Sequence, residues 1–412
     1  MATPKFDFAK VRADFPVLSR KIRGKDLLYL DSTASAQSPL PVVNAVADLY
    51  KNDYANIHRG VHYLSAQLTA RYEAVREQIR DFLGAPKVEE IILTKGTTES
   101  VNLVAAAWGL KFLKKGDGVL VTSMEHHSNF VPWQAFAGAV GADFRILEAT
   151  QEGFIELDVL DAALAKKPKI LAITAMSNVL GSVPNIKEIA IRCKSAGTLV
   201  FVDAAQGVPH LDHKLSDYGP IDFLAFSSHK MCGPSGVGVL WAHEELLEAM
   251  DPYQFGGDMI AEVGDQKTTW NRLPWKFEAG TPHISGVIGL GAAIDYLNGI
   301  GRSAIHAWES ELARYALERL GKIPGIRIFG PQSAENRGAV FSFLLDGIHP
   351  HDVGSFLDAD GIAVRVGHHC AQPLMRRLGV EGTCRASFYF YNTLADADRL
   401  AEALLRAQKV FR

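Results

Sequence analysis

Cysteine is scarce in this chain: Cys193, Cys232, Cys370 and Cys384 are the only four in 412 residues. No two have C-x-x-C spacing, so neither a disulfide framework nor a metal site is expected. Each thiol is then a small buried hydrophobe or a reactive group. Long apolar runs are absent too, and no stretch approaches the ~20 residues that cross a bilayer. The first eight residues lack a basic segment followed by an apolar one, which argues against a signal peptide and for a cytoplasmic protein. A net charge of −3 gives no electrostatic case for nucleic acid. Internal repeats, low-complexity tracts and long linkers are missing as well. What remains, 48% hydrophobic and 22% charged residues, describes a soluble globular protein, and the length suggests two domains.

From about residue 88, short apolar runs alternate with helical patterns. Residues 91–94, 119–122, 169–174, 199–203 and 223–226 read as strands apolar on both faces, each followed by a polar cluster. This predicts an α/β fold with a mostly parallel sheet covered by helices, whose ligands gather beyond the carboxyl ends of the strands. Every polar cluster falls at such an end. Beyond about residue 292 the texture changes. A helical pattern over 303–320 precedes strand-like 339–345, a short helix over 351–357, strands over 362–366 and 384–391, and a closing helix from about 395 to 406. The expected division is a large domain over 29–292 and a smaller α+β domain over 293–412, packed with the N-terminal segment 1–28.

Lys230 closes the run that starts at Ile221, and Asp203 closes the one that starts at Leu199. A lysine at the mouth of an apolar strand is desolvated, which disfavours its ammonium form and frees the amine to attack a carbonyl. A carboxylate at a nearby strand end suits a pyridine nitrogen that must stay protonated. The pair suggests a Schiff base to pyridoxal 5′-phosphate; two surface charges closing two strands are the bland alternative. Gly96-Thr97-Thr98-Glu99-Ser100 joins a strand to a helix, where backbone N–H groups and the hydroxyls of Thr97 and Thr98 suit a phosphate monoester or simply cap the helix. Ser227 and His229, beside Lys230, would complete such a cup.

Glu125-His126-His127-Ser128-Asn129 offers an imidazole that can stack on a cofactor ring and move protons. A metal-binding histidine pair lacks a third ligand nearby, and a surface role stays open for His127. Asn178 and Gln206 are candidate partners for a substrate carboxylate and a ring oxygen, or ordinary turn residues. Arg365-Val366-Gly367-His368-His369-Cys370 places a thiol on a loop among cationic side chains, which makes Cys370 a nucleophile candidate. Cys193 reads as structural, and Cys384 is open between the two roles. Arg385 suits a bidentate grip on an α-carboxylate, or a structural ion pair.

Together with Phe277-Glu278-Ala279-Gly280-Thr281-Pro282 and His58-Arg59-Gly60, these motifs resemble the class V branch of fold-type I pyridoxal-phosphate enzymes. Within it the chain is similar to the group II (SufS-type) cysteine desulfurases, a family with selenocysteine lyase activity. The similarity runs from Val11 to the C-terminal helix. It implies a fold-type I transferase with pyridoxal 5′-phosphate as cofactor, L-cysteine or L-selenocysteine as substrate, and a homodimer. It also implies a SufE-like or SufU-like acceptor that feeds iron–sulfur cluster assembly.

Position by position, the resemblance implies Lys230 as the cofactor-bearing lysine and Asp203 at the pyridine nitrogen. His126 would stack on the ring and Gln206 would bond its phenolic oxygen. Thr97, Thr98, Ser227 and His229 would hold the phosphate, with Thr281 lent by the neighbouring subunit. Arg385 and Asn178 would fix the substrate carboxylate, with Arg365 and His58 also at the substrate, and Cys370 would attack the substrate sulfur. The alternatives are a dedicated selenocysteine lyase or another class V activity, such as an aminotransferase or a β-lyase, or a non-catalytic scaffold. One departure stands out: Ser228 and Cys232 replace the glycine and aromatic residue common in the family. Cys232 is expected to be a packing variant, with sulfur migration to it as the alternative.

Overall fold

Runs that are apolar at every position have no polar face to turn to water, and the fold buries both of their faces. The computed structural model describes residues 7–411. Residues 1–6, most of the stretch read for a signal peptide, lie outside the described residues, as does residue 412. Seven strands form the main sheet: β1 (Ile91–Thr94), β2 (Gly118–Thr122), β3 (Asp143–Leu147), β4 (Ile170–Thr174), β5 (Leu199–Asp203), β6 (Phe223–Ser227) and β7 (Gly238–Ala242). Their order is β1-β7-β6-β5-β4-β2-β3. Neighbours from β6 through β3 pair in parallel, whereas β7 runs antiparallel to both β1 and β6.

Alternation along the strands splits the core. Leu171, Ile173, Val200, Val202, Leu224 and Phe226 pack on one face, and Ile170, Ala172, Phe201, Phe223 and Ala225 on the other. Each fully buried side chain of Val, Leu or Phe size contributes about 1.5–3 kcal/mol, so the two-sided burial fixes the sheet.

That sheet delivers the polar clusters to one edge. Strand β6 stops at Ser227, three residues short of the run read from the sequence, because the polar Ser228-His229-Lys230 closes into a 3₁₀ turn. The chain then returns as β7, so Lys230 sits on the connection at the carboxyl end of β6. At the start of β7, a Cβ on Gly238 would stand 2.4 Å from the Gly96 Cα. Glycine there lets β7 approach the loop that opens helix α1 (Thr97–Val104).

A second sheet, β8 (Ile326–Ile328), β9 (Val340–Leu345), β10 (Arg365–Gly367) and β11 (Thr383–Ser387), is antiparallel in the order β8-β9-β11-β10. Leu312, Ala316, Leu400 and Leu404, from the helices Arg302–Gly321 and Leu394–Phe411, join Phe341 and Phe343 in its core. The strand read over 362–366 is two short ones, Ile362–Ala363 and Arg365–Gly367. The strand read through residue 391 ends at Ser387, after which Phe390 and Tyr391 turn their rings onto Phe15. Leu28–Tyr29 pairs in parallel with Ile362–Ala363, and the Ser387 N–H donates to the Leu30 carbonyl at 2.8 Å. The N-terminal segment thereby ties into the second sheet's surroundings. Among the described residues no single helix is long and apolar enough to cross a membrane.

Candidate active site

Beyond the carboxyl ends of β4, β5 and β6 lies a cavity of about 220 Å³. Its wall brings together residues from across the chain: Lys230, Asp203, Gln206, His126, Thr97, Thr98, Ser227 and His229 from the strand-end clusters, and Asn178, Arg365, Cys370 and Arg385 around them. A larger cavity of about 390 Å³, bounded by His210, Tyr218, Glu309 and Arg337, contains no cysteine. Size does not locate the chemistry here; the facing of Lys230, Asp203 and Cys370 does.

At one end, the Thr97 N–H donates to Ser227 Oγ at 2.8 Å, and the two hydroxyls lie 2.8 Å apart. This bond pins the N-terminus of α1, with its unpaired N–H groups and positive dipole end, against the end of β6. Asp203 ends β5, and its Oδ1 accepts the Ala205 N–H at 2.9 Å. Burial pushes the Asp203 carboxyl above its ordinary range, opposed by the attraction of Lys230. Burial likewise holds the Lys230 amine below its usual range, with Asp203 pulling the other way. The lysine's partial accessibility comes from the cavity it lines, so the charged form stays poorly solvated.

Burial first, and the Lys230 charge second, hold the His126 imidazole down to about 3. Its Nδ1 accepts the Ser128 N–H at 3.1 Å, so the neutral ring carries its proton on Nε2. Burial and Lys230 likewise bring His229 down to about 4. Glu125, beside His126, ties this turn to β4: it accepts from Thr122 Oγ1 at 2.5 Å, the Thr174 N–H at 3.0 Å and Asn129 Nδ2 at 2.6 Å.

Arg385 is only 2% exposed. It donates to Asp31 Oδ1 at 2.9 Å and to the Asn178 carbonyl at 3.0 Å. Burial lowers its guanidinium to about 10 despite Asp31. Cys370 is half-buried at the end of the loop after β10. Asn178 Nδ2 donates to the His369 carbonyl at 2.8 Å, so in this structure the Asn178 amide holds the cysteine loop.

Four buried polar atoms of the cavity wall have no hydrogen-bond partner: Gln206 Oε1, Arg385 Nε, Thr33 Oγ1 and His369 Nδ1. Each such orphan costs about 1–3 kcal/mol, so the wall is built for a polar occupant. A helix N-terminus with hydroxyls, a buried carboxylate and a desolvated lysine fit the phosphate, ring nitrogen and aldehyde of pyridoxal 5′-phosphate.

Two expected residues do not line the cavity of their own chain. His58 Nε2 instead meets Glu73 Oε1 at 2.8 Å, with its ring edge-on to Tyr72 and Trp275. Thr281 is exposed in a separate cleft with Glu99 and Tyr253. Cys232 is fully buried, and burial pushes its thiol well up beside Tyr389, which fits the packing role expected of it better than a role as sulfur acceptor. Cys384 is buried too, with Sγ on the Pro350 carbonyl at 3.0 Å. The reading missed Thr33, Ser128, Thr174 and Met176 in the wall, and Asp31 behind Arg385. The polar run Asp31-Ser32-Thr33 after an apolar stretch was the available signal. His127 is not a mere surface histidine, because its N–H and ring both bond the cysteine loop.

The class-V aminotransferase family matches residues 28–400. A cysteine desulfurase of Klebsiella pneumoniae is 48% identical over 406 residues, covering 98% of this chain and 99% of the relative. Among solved structures, the apo cysteine desulfurase of Thermococcus onnurineus superposes with a TM-score of 0.93 at 38% identity, covering 100% of both chains. The Escherichia coli cysteine desulfurase CsdA, solved as its S-sulfonic acid, gives 0.90 at 41% identity, covering 99% of this chain and 100% of that one. With this fold and cavity, the chain belongs to the cysteine desulfurases of the class-V aminotransferase family, enzymes that work with pyridoxal 5′-phosphate.

Proposed function

We propose that this cavity takes sulfur from L-cysteine onto Cys370 and that a SufE-like or SufU-like protein receives it for iron–sulfur cluster assembly. The observation that carries the reading is the sharing of one 220 Å³ cavity by Lys230, Asp203 and Cys370. Pyridoxal 5′-phosphate, when bound, supplies the carbonyl that takes the substrate amine and the ring that withdraws electrons from it.

In this proposal Thr97, Thr98, Ser227 and His229 would hold the phosphate, and Asp203 would keep the ring nitrogen protonated. His126 would lie against the ring and Gln206 would bond its phenolic oxygen. Arg385 fixes the substrate carboxylate through the guanidinium N–H groups that Asp31 and the Asn178 carbonyl leave unpaired, Nε among them, and Asn178 and Arg365 flank it. Lys230, whose amine burial shifts toward the neutral form, and His126, held neutral by burial, take protons and return them; steps of this kind contribute roughly 10²–10⁴-fold each. The Cys370 thiolate then attacks the substrate sulfur. A sulfur–sulfur bond forms as the Cβ–Sγ bond breaks, the bonding pair stays on the carbon side, and a proton captures it to give L-alanine.

The same reading divides the chain into a cofactor-binding domain over 29–292 and a small domain over 293–412 joined by 1–28, working in the cytoplasm. It makes the enzyme a homodimer in which Thr281, and His58 with it, serve the neighbouring subunit's cavity. The exposed Tyr50, Val61 and Tyr63 support an apolar contact with that second copy.

Alanine release from L-cysteine and from L-selenocysteine, each with and without a purified acceptor protein, tests the proposal. Alanine from L-cysteine, accelerated by the acceptor, is expected. Turnover of L-selenocysteine alone would overturn it in favour of a dedicated selenocysteine lyase.

A further inference from the structure

The loop that presents Cys370 is held in a conformation its residues do not favour. His369 and Cys370 are consecutive non-glycine residues in the left-handed region, with φ of 52° and 55°. L-residues avoid that region because Cβ crowds the following carbonyl oxygen, so the loop needs outside support. Asn178 holds the His369 carbonyl, and His369 Nε2 meets Thr383 Oγ1 at 2.8 Å. Further support comes from His127, which grips the loop at two points just after the thiol-bearing carbon. Its backbone N–H donates to the Cys370 carbonyl at 2.7 Å, and its ring Nε2 accepts the Gln372 N–H at 3.0 Å.

An imidazole nitrogen that accepts a backbone N–H carries no proton. The His127 ring is therefore neutral in this arrangement, with its hydrogen on Nδ1. Protonation would set a second hydrogen against the Gln372 N–H and turn an attraction into a repulsion. The clamp also couples two parts of the site, because His127 directly follows His126, whose ring lines the cavity.

We propose that His127 is a positioning residue whose neutral imidazole clamps the Cys370 loop, and whose protonation releases it and sets the acid limit of sulfur abstraction. This rests on the reading that Cys370 takes the sulfur. The titratable groups facing His127 are the neighbouring His126, His368 from the cysteine loop and Arg376 from the helix Gln372–Leu378. Burial, and then His368 and Arg376, hold the His127 ring below its ordinary range. The clamp therefore stays closed at neutral pH and opens only on acidification.

Two variants separate the clamp from simple packing. His127→Phe keeps ring volume but loses the acceptor; His127→Gln keeps, at the reach of Nε2, a carbonyl acceptor that never titrates. With the loaded enzyme and L-cysteine, persulfide formation in a single turnover is measured against pH, and hydrogen exchange of the peptide containing Gln372 is followed in parallel. The expected result for His127→Phe is a roughly tenfold slower persulfide step and roughly tenfold faster exchange at neutral pH, the size of one lost hydrogen bond. His127→Gln should recover most of both and lose the acid limb of the wild type. A wild-type rate in His127→Phe, or an unchanged acid limb in His127→Gln, would overturn the clamp. Wild-type alanine formation by Cys370→Ala would instead overturn the nucleophile reading, while the exchange comparison still judges the clamp.

Discussion

Arg385 shows how much one side chain depends on a neighbour far away in sequence. Its place near a strand start was enough to mark it as a candidate carboxylate ligand, and it lines the cavity. Its partner Asp31 was not legible, because the two meet only when the N-terminal segment docks beside β11. Arg385→Lys keeps the charge but loses the planar fork, so KM for L-cysteine should rise roughly tenfold or more while kcat changes less; an unchanged KM in steady-state assays would place the carboxylate elsewhere. His126 carries a second prediction at this scale. Burial depresses its imidazole to about 3, and a depressed value favours the neutral form. Its ring proton signals in NMR should therefore stay flat on acidification through the ordinary histidine midpoint of about 6.5; a midpoint near that value would contradict the burial argument. Lys230, Asp203 and Thr97 were legible because each follows a strand that is apolar throughout. The complete burial of Cys232 was not, since burial at a given position is a property of packing.

Among the elements, strands buried on both faces were the most readable, because an unbroken apolar run needs cover on two sides. Their ends were less so: the hydrophobic pattern continues into Ser227 but does not mark the turn that carries Lys230. Strand 362–366 broke for a similar reason, since pattern alone does not say which neighbour each half will pair with. The edge strand β1 depends on a contact no local pattern reveals. Arg76, from the helix Tyr63–Leu83, is 1% exposed and meets both oxygens of Glu278, at 2.6 and 2.9 Å. Glu278 Oε1 also accepts the Leu93 N–H of β1 at 2.8 Å. Glu278→Ala leaves the buried guanidinium with only the half-buried Glu73, at 3.0 Å from its Nε, and should cost up to about 3–5 kcal/mol. A urea midpoint that barely moves would show that the pair does not anchor the strand.

For the whole molecule, the change in texture near residue 292 was visible, but the pairing of Leu28–Tyr29 with Ile362–Ala363 across the length of the chain was not. The surface raises the matching question of assembly. Val61 and Tyr63 are 104% and 72% exposed, an unusual loss of burial for apolar groups so close in sequence. If they meet a second copy, Val61→Asp combined with Tyr63→Asp should sediment as a monomer where the parent chain sediments as a dimer; equal sedimentation would remove that contact from the account. The central claim concerns where the sulfur goes, and mass spectrometry of the enzyme after one turnover of L-cysteine without acceptor tests it most directly. The account predicts one added sulfur atom on the peptide containing Cys370 and none on the one containing Cys232. Sulfur on another residue, or a full equivalent of alanine from Cys370→Ala at the parent rate, would contradict it.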